Sequence, residues 1–282
     1  MNERRAPAQA LSPGVDPQGV GEGGGKILVV KLSSLGDVVH AMPAVQDMRR
    51  AFPNAEIDWV VERAFAPLVT RCEGVQKVIP CELRKWRKAP FAQKTRAEWR
   101  VFKQRLQAQR YDAVFMACHS DQALQLLADA TPAEREVLSA IPYQRNEAVL
   151  HTDTRLMPRR RLAWACWNYH SLPDNAGPLA LTYNMNMLQN IDAPETLLVT
   201  LNRSDAIDPS RVILRTAYHH PVFTPGSVAA QARHREVNGV QGTYFCGAWW
   251  RNGFHEDGVA SALTAVEHFT HDHAQRAVHR TA

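Results

Sequence analysis

Short apolar runs that alternate with helical patterns are the strongest constraint on the fold of this chain. KILVVKL (26–32) is almost continuously apolar, which is typical of a parallel strand buried on both faces. After the turn SSLGD (33–37), apolar residues recur at helical spacing from Val38 onward. Further strands are predicted at 56–62, 75–80 and 111–117, with a helix at 94–110. This alternation predicts an α/β fold with a Rossmann-like parallel sheet in the N-terminal half.

The pattern changes after Cys118. Thr131, Pro132 and Glu134 form a capping-box helix start, and short alternating segments between turn residues follow. They predict an α+β region with a mostly antiparallel sheet, ending in a C-terminal strand, loop and helix. The predicted organisation is a disordered leader (1–25), an N-terminal domain (26–114), a C-terminal segment (115–270) and a flexible tail (271–282).

Positive charge is concentrated in one segment. Residues 84–110 hold ten Lys or Arg and one acid, Glu98, so this segment carries +9. The whole chain is +5, which leaves −4 for the rest (5 − 9 = −4). Such a focus predicts an anionic partner. Nucleic acid is not favoured, because Trp99 and Phe102 have the spacing of a core-facing stripe and no named nucleic-acid motif occurs.

The turn SSLGD is the first candidate site. Ligands of parallel α/β sheets bind at the carboxyl ends of the strands, and small residues there allow a tight turn. A carboxylate at this point, Asp37, could accept a proton from an attacking hydroxyl. It could instead cap a helix beginning at Val38, and spacing alone favours the cap.

The second candidate site is CGAWWRNGFHEDG. A strand ending at Gly247 and a helix starting near Gly258 could present backbone N–H groups to an anion, such as a reduced flavin. Composition alone favours an ordinary glycine-rich turn. The G-x-G-x-x-G at Gly19, Gly21 and Gly24 is rejected as a dinucleotide loop, because it precedes the first strand instead of following one.

The stretch KILVVKLSSLGDVVHAMPAVQDMRRAFPNAEIDWVVE and the later VIPCELRKWRKAPF resemble lipopolysaccharide heptosyltransferase I, from about Lys26 to Val114. That family has the GT-B fold and transfers heptose from an ADP-sugar to a Kdo hydroxyl of the lipopolysaccharide core. The resemblance implies that Asp37 is the catalytic base. It implies that the acceptor is bound by Ser34, Gly36, Arg84, Arg87 and Lys88.

A second resemblance covers about Tyr111 to Phe269, including YDAVFMACHSDQALQLLADATPAERE and YFCGAWWRNGFHEDGVASAL. This part resembles the C-terminal region of bacterial FAD-dependent amine oxidase-like proteins. The resemblance implies flavin contacts at Gly247, Gly253, Glu256, Gly258 and Val259. Because the G-x-G-x-x-G half of such proteins is not recognisable, FAD binding is expected to be weak or absent.

The tetrapeptide YDAV suits both resemblances, so the chain is interpreted as a chimera joined there. The longer segment predicts an FAD-dependent amine oxidase-like oxidoreductase, inactive as it stands. The alternatives are a heptosyltransferase I-like glycosyltransferase lacking its donor domain and a non-catalytic chimera that binds anions through 84–110.

No metal site and no transmembrane segment are predicted, since no apolar run reaches the ~20 residues needed to span a bilayer. The expected location is cytoplasmic, with peripheral attachment to the inner membrane as an option. An acidic lipopolysaccharide core is the partner that the resemblance implies.

Overall fold

The computed structural model describes residues 25–32, 34–171 and 179–280, with the side chains of His40, Ala51, Arg87 and residues 273–280 outside the description. The predicted leader therefore lies outside the described residues, apart from Gly25. The described strands are β1 (Lys26–Val30), β2 (Glu56–Glu62), β3 (Val75–Cys81), β4 (Ala113–Met116), β5 (Tyr143–His151), β6 (Trp167–His170), β7 (Ala180–Asn184), β8 (Leu198–Leu201), β9 (Val212–Pro221) and β10 (Thr243–Phe245). The described α-helices are α1 (Leu35–Ala51), α2 (Ala66–Val69), α3 (Leu83–Lys88), α4 (Gln93–Gln107), α5 (Ser120–Leu126), α6 (Pro132–Ser139), α7 (Met185–Gln189), α8 (Pro225–Gln231), α9 (His234–Val237) and α10 (His255–Arg280).

The chain forms two compact units. The first comprises the described residues up to Ile141 and from Phe223 onward, and the second is Pro142–Val222. The predicted boundary between 114 and 115 thus falls inside the first unit. Helix α10 continues to Arg280, beyond the predicted start of the tail at residue 271.

The first unit is built on a five-stranded sheet with the order β10-β4-β1-β2-β3, in which every pairing is parallel. Strand β4 lies between β1 and β10: Phe115 pairs with Val29 on one side and Tyr244 on the other. The N-terminal and C-terminal parts of the chain therefore share one sheet. The predicted α/β class with a parallel sheet is confirmed.

The core of this unit combines residues from both ends of the sequence. Trp59 and Ile57 of β2 are fully buried, as is Tyr244 of β10. The Phe269 ring of α10 packs against those of Phe115 and Tyr244, with centroids 5.5 and 5.4 Å away. Helix α10 is thus a structural part of the parallel-sheet unit, because its apolar face completes the core.

Helix α1 differs from the sequence expectation at its start, and it contains a proline. It begins at Leu35, not at Val38, because Ser34 is in an extended conformation and Asp37 in the first turn accepts its backbone N–H. Pro43 lies inside the helix, where a proline removes one backbone hydrogen bond and usually costs about 3 kcal/mol. Burial of Val38 and Val45 in the core offsets part of that cost.

The second unit is an antiparallel sheet with the order β6-β7-β8-β5-β9, which confirms the predicted antiparallel region. A chain of hydrogen-bonded polar side chains, here called the buried polar row, crosses this sheet and consists of His170, Thr182, Thr200 and His151. Thr182 and Thr200 are paired across β7 and β8, with their hydroxyl oxygens 2.8 Å apart. Trp167 of β6 is half-exposed and packs edge-on against Tyr183 of the neighbouring strand.

No helix in the described part of the chain is long and apolar enough to cross a membrane. All five cysteines are free thiols.

The packing of α10 predicts a large effect for Phe269→Ala. Removing a buried aromatic ring leaves a cavity and is expected to lower the free energy of unfolding by about 3–5 kcal/mol. Leu263→Ala, on an exposed position of the same helix, should change it by less than about 0.5 kcal/mol. Denaturant unfolding of both variants checks this, and similar small losses for both would show that α10 does not complete the core.

Candidate functional site

The candidate site lies at the carboxyl edge of the parallel sheet in the first unit. Strand β1 is followed in the sheet by β2 and β3 on one side, while β4 and β10 lie on the other. The strand order therefore reverses between β1 and β4. Ligands of open α/β sheets bind outside the carboxyl ends of the strands at such a reversal. The turn after β1, which contains Ser34, Gly36 and Asp37, begins at this place.

Asp37 is held by the helix start that precedes it. Its Oδ2 accepts hydrogen bonds from the Ser34 backbone N–H at 2.8 Å and from the Ser34 hydroxyl at 3.1 Å. The Lys31 ammonium lies 3.8 Å from the same oxygen. Within the described part of the chain, no hydrogen bond is found to Oδ1. Ser34 is therefore the cap, and Asp37 stabilises the helix start as its third residue instead of preceding it. One oxygen of the half-exposed carboxylate is available to a ligand.

The surroundings of Asp37 keep it ionised. Burial acts to raise the pKa of this carboxyl, but the Lys31 charge and the two hydrogen bonds from Ser34 outweigh it, so the pKa lies below its usual value. The charge of His255, at the start of α10, acts in the same direction. The beginning of α10 thus lies near the turn after β1, and the two candidate sites from the sequence share one sheet edge.

Gly36 was expected to allow a tight turn after β1, but the structure does not require a glycine for that purpose. It lies in the first turn of α1, and a Cβ added there would meet no atom within 4 Å. Its backbone therefore does not require glycine. What the missing side chain provides is open space beside Ser34 and Asp37.

Helix α3 presents the basic residues that the sequence singles out. Arg84 and Lys88 are exposed, and no described carboxylate lies within ion-pair distance of either. The side chain of Arg87 lies outside the description. Glu62, at the end of β2, accepts the Arg84 backbone N–H at 3.0 Å and so fixes the first turn of α3.

Glu62 and Lys31 are site residues that the sequence reasoning missed. Both stand at the last position of a strand or just beyond it, which is the only signal that could have identified them. Burial raises the pKa of Glu62, although hydrogen bonds from the Arg84 and Leu83 N–H groups and the Arg84 charge partly offset this. Glu62 orients α3, and Lys31 lowers the pKa of Asp37.

The only acid of the basic segment anchors α3 to α4. Glu98 accepts hydrogen bonds from the Trp86 indole N–H at 2.9 Å and from the Lys85 ammonium at 3.0 Å. The ring of Trp86 packs between those of Trp99 and Phe102, with centroids 5.3 and 5.5 Å away. This aromatic contact directs one face of α3 inward and leaves Arg84 and Lys88 in solvent.

The loop after β10 carries the residues predicted to contact a flavin. Gly247 and Gly253 have positive φ values of 155° and 95°. A Cβ at Gly247 would come within 2.5 Å of the Trp249 indole nitrogen, so glycine is required there. Trp249 in turn donates its N–H to the Cys118 carbonyl at 2.9 Å, which ties this loop to the end of β4.

The start of α10 is poorly suited to an anion. It begins at His255, not near Gly258, and its first turn contains the acids Glu256 and Asp257. Asp257 accepts the Phe254 N–H at 3.0 Å, and the Gly258 N–H bonds to the Phe254 carbonyl at 3.2 Å. The acids already oppose the helix dipole, and these amides are used. Flavin contact by Gly247, Gly253, Glu256, Gly258 and Val259 stays an untested prediction.

Two cysteines near this edge are not poised for nucleophilic chemistry. Burial raises the pKa of the Cys118 thiol to about 12 and that of Cys246 to about 11. Thiols of this kind stay protonated at neutral pH and are poor nucleophiles. Among the described residues, no cluster of three His, Cys, Asp or Glu side chains has the geometry of a metal site.

The chain is similar to lipopolysaccharide heptosyltransferase 1 over part of its length. It is 46% identical to the Escherichia coli K12 protein over 92 residues, which are 33% of this chain and 29% of that protein. It is 47% identical to the Pseudomonas aeruginosa protein over 92 residues, 26% of that protein. The chain therefore spans less than a third of the length of these curated relatives. No family model matches it.

A solved structure of an E. coli heptosyltransferase with ADP matches 36% of this chain and 32% of its own, with 42% identity and a TM-score of 0.35.

These similarities correct the main functional prediction. A flavin-dependent amine oxidase-like oxidoreductase is wrong, because the curated relatives are heptosyltransferases, as the alternative interpretation had it. The comparisons give no support to an amine oxidase part or to a chimera. In the structure, the C-terminal strand β10 is a regular neighbour of β4.

The contacts of Asp37 predict a pH-dependent contribution to stability. At pH 7, Asp37→Ala should lower the free energy of unfolding by about 1 kcal/mol, since it removes a capping acceptor. Because the folded-state pKa lies below the unfolded value of 3.8, this contribution is present above that pH and is lost as the pH falls below it. Urea unfolding at neutral and acid pH measures it.

Asp47→Ala, on an exposed position of the same helix, is the matched control and should cost less than about 0.5 kcal/mol. Equal losses for the two variants, or a loss for Asp37→Ala that persists in acid, would contradict the capping role.

Proposed function

We propose that this chain carries the acceptor-binding part of a glycosyltransferase of the heptosyltransferase I type. The observation that carries the proposal is the 46% identity to lipopolysaccharide heptosyltransferase 1 over 92 residues. The arrangement of the carboxyl edge supports it, since Asp37 and the exposed cations Arg84 and Lys88 lie on helices that start at the same edge of the sheet. The acceptor would be an acidic sugar such as the Kdo of a lipopolysaccharide core.

The acceptor would be held by the cations of α3. Arg84 and Lys88 are exposed, and no described carboxylate forms an ion pair with either, although the Arg84 charge also acts on Glu62. Guanidinium and ammonium groups form charge-assisted hydrogen bonds with carboxylates and phosphates. We include Arg87 in this role on the basis of the sequence alone. Ser34 and Gly36 would border the sugar, because the space above Gly36 is open.

The strand spacing agrees with these roles. Asp37 follows β1 and Arg84 follows β3, and the two strands are separated only by β2. Adjacent strands lie about 4.8 Å apart, so the two strand ends are about 10 Å apart. Helices α1 and α3, which carry Asp37 and Arg84, therefore follow strand ends close enough for one sugar acid to span them.

Asp37 would accept the proton of the attacking hydroxyl. A carboxylate with a lowered pKa is a weak base, so it takes the proton only as the new bond forms and the hydroxyl becomes strongly acidic. In this step the acceptor oxygen bonds to the anomeric carbon of the donor. The bond from that carbon to the nucleoside diphosphate breaks, and the diphosphate leaves with the electron pair.

The donor would be a sugar nucleotide, ADP-heptose by similarity to the relatives. Its binding site is assigned to no residue of the described part, because the similarity covers less than a third of those proteins. The predicted location, cytoplasmic and peripheral to the membrane, forms part of this proposal.

Acceptor binding tests the proposal through a pair of double variants. In calorimetric titration with Kdo, Arg84→Gln with Lys88→Gln should weaken binding by roughly 10- to 100-fold, since a hydrogen bond to a charged group contributes about 1.5–3 kcal/mol. Arg105→Gln with Arg110→Gln removes the same charge from exposed positions of the same basic segment. This control should leave the dissociation constant within about twofold, as exposed charges act weakly at a distance.

Release of ADP from ADP-heptose in the presence of Kdo tests the transfer step in the same preparations. Asp37→Asn keeps a capping oxygen but cannot accept the proton, so it should bind Kdo normally and release no ADP. Equal loss of binding in both double variants would contradict the acceptor site. Undiminished ADP release by Asp37→Asn would contradict the role of Asp37.

A further inference from the structure

The second unit contains a cavity that the proposed function does not use. It has a volume of about 460 Å³, within the ~300–1,000 Å³ range of small-molecule sites. Three arginines line it, namely Arg155, Arg159 and Arg203, together with His170 and Tyr169. Among the described residues that line it, none is acidic.

The three arginines differ in how much charge they offer. Arg155 forms a forked pair with the buried Asp153, with Nε–Oδ1 and Nη2–Oδ2 distances of 2.9 and 2.6 Å. The Arg155 guanidinium holds the pKa of Asp153 well below its usual range, so this pair is neutral overall. Arg159 is exposed, and no described carboxylate pairs with it or with Arg203. The net positive charge of the cavity therefore comes from Arg159 and Arg203.

Arg203 is held in place by a buried polar row. Its Nη1 donates to His170 Nδ1 at 2.8 Å, so His170 carries its proton on Nε2 and donates it to the Thr182 hydroxyl at 2.7 Å. Thr182 contacts Thr200, which lies 2.7 Å from His151 Nε2. This row crosses four strands and ends at the cavity. It fixes the Arg203 guanidinium there without neutralising it.

The same row keeps His170 uncharged. Burial lowers the pKa of His170, and the Arg203 charge lowers it further. A neutral imidazole can accept from Arg203, whereas an imidazolium would repel it. The Arg203 guanidinium is therefore held at the cavity wall by a neutral imidazole, and its charge is not cancelled by a described carboxylate.

We propose that this cavity binds a small organic anion, with its carboxylate or phosphate on Arg159 and Arg203 and its apolar body against Tyr169 and Met157. Arginine suits both head groups, because its planar fork makes two parallel hydrogen bonds to either. Tyr169 is largely exposed, and Met157 also lines the cavity, so both can contact a ring or a short chain. The proposal is independent of the acceptor site at the parallel sheet.

Titration with benzoate and phenyl phosphate, monitored by ligand-observed NMR and calorimetry on the full chain, tests the proposal. One of the two anions should bind saturably at one site, and the tighter of the two identifies the head group. Arg159→Gln should weaken that binding by roughly tenfold or more, as expected for loss of one charged hydrogen bond. Arg203→Gln should weaken it similarly, because it keeps an N–H donor for His170 but loses the charge.

Arg160→Gln is the matched control, since Arg160 is an exposed neighbour of Arg159 that does not line the cavity. Its affinity should stay within about twofold of the unmodified protein, because an exposed charge outside the cavity is screened by solvent and salt. Failure of both anions to saturate, equal weakening by Arg159→Gln and Arg160→Gln, or equally tight binding of uncharged benzyl alcohol would each overturn the proposal.

Discussion

The parallel pairing of β4 with both β1 and β10 is the interaction on which the first unit depends. It joins strands separated by more than two hundred residues, since Ile27 and Thr243 pair with adjacent residues of β4. Without this pairing, the Phe269 face of α10 would have no core to cover. The pairing also places the loop after β10 at the same sheet edge as the turn after β1, with β4 between the two strands. Bringing such distant segments together costs conformational entropy. The burial of apolar side chains in one shared core offsets that cost.

The shared parallel sheet also determines where the charged side chains of its carboxyl edge lie. Three acids at the edge are held by the backbone at the start of the next helix: Asp37 accepts from Ser34, Glu62 from Arg84, and Asp257 from Phe254. Such acids stabilise helix starts, where N–H groups would otherwise lack partners. The cations of α3 are not used in this way. The edge therefore combines a fixed carboxylate with exposed Arg84 and Lys88, which form no ion pair with a described carboxylate.

Sequence reasoning identified local features well and distant partners poorly. The apolar runs that became β1, β2 and β4 were predicted because parallel strands are buried on both faces. The start of α1 at Leu35 was missed, because spacing favoured Asp37 as a cap before a helix at Val38, whereas Ser34 is the cap and Asp37 is the third residue within the helix. The position of β10 in the first sheet was missed, because its apolar run does not specify which strand it pairs with. The cavity of the second unit was missed because it depends on the tertiary placement of Arg159 and Arg203.

The central claim is that the carboxyl edge of the parallel sheet binds an acidic sugar. Two-dimensional amide NMR spectra of the full chain, recorded during titration with Kdo, test it most directly. The account predicts saturable shifts at Ser34, Gly36 and Asp37 and along α3, with the amides at the opposite edge, such as Asp112, unchanged. Shifts confined to the second unit, or an unchanged spectrum at saturating sugar, would contradict it.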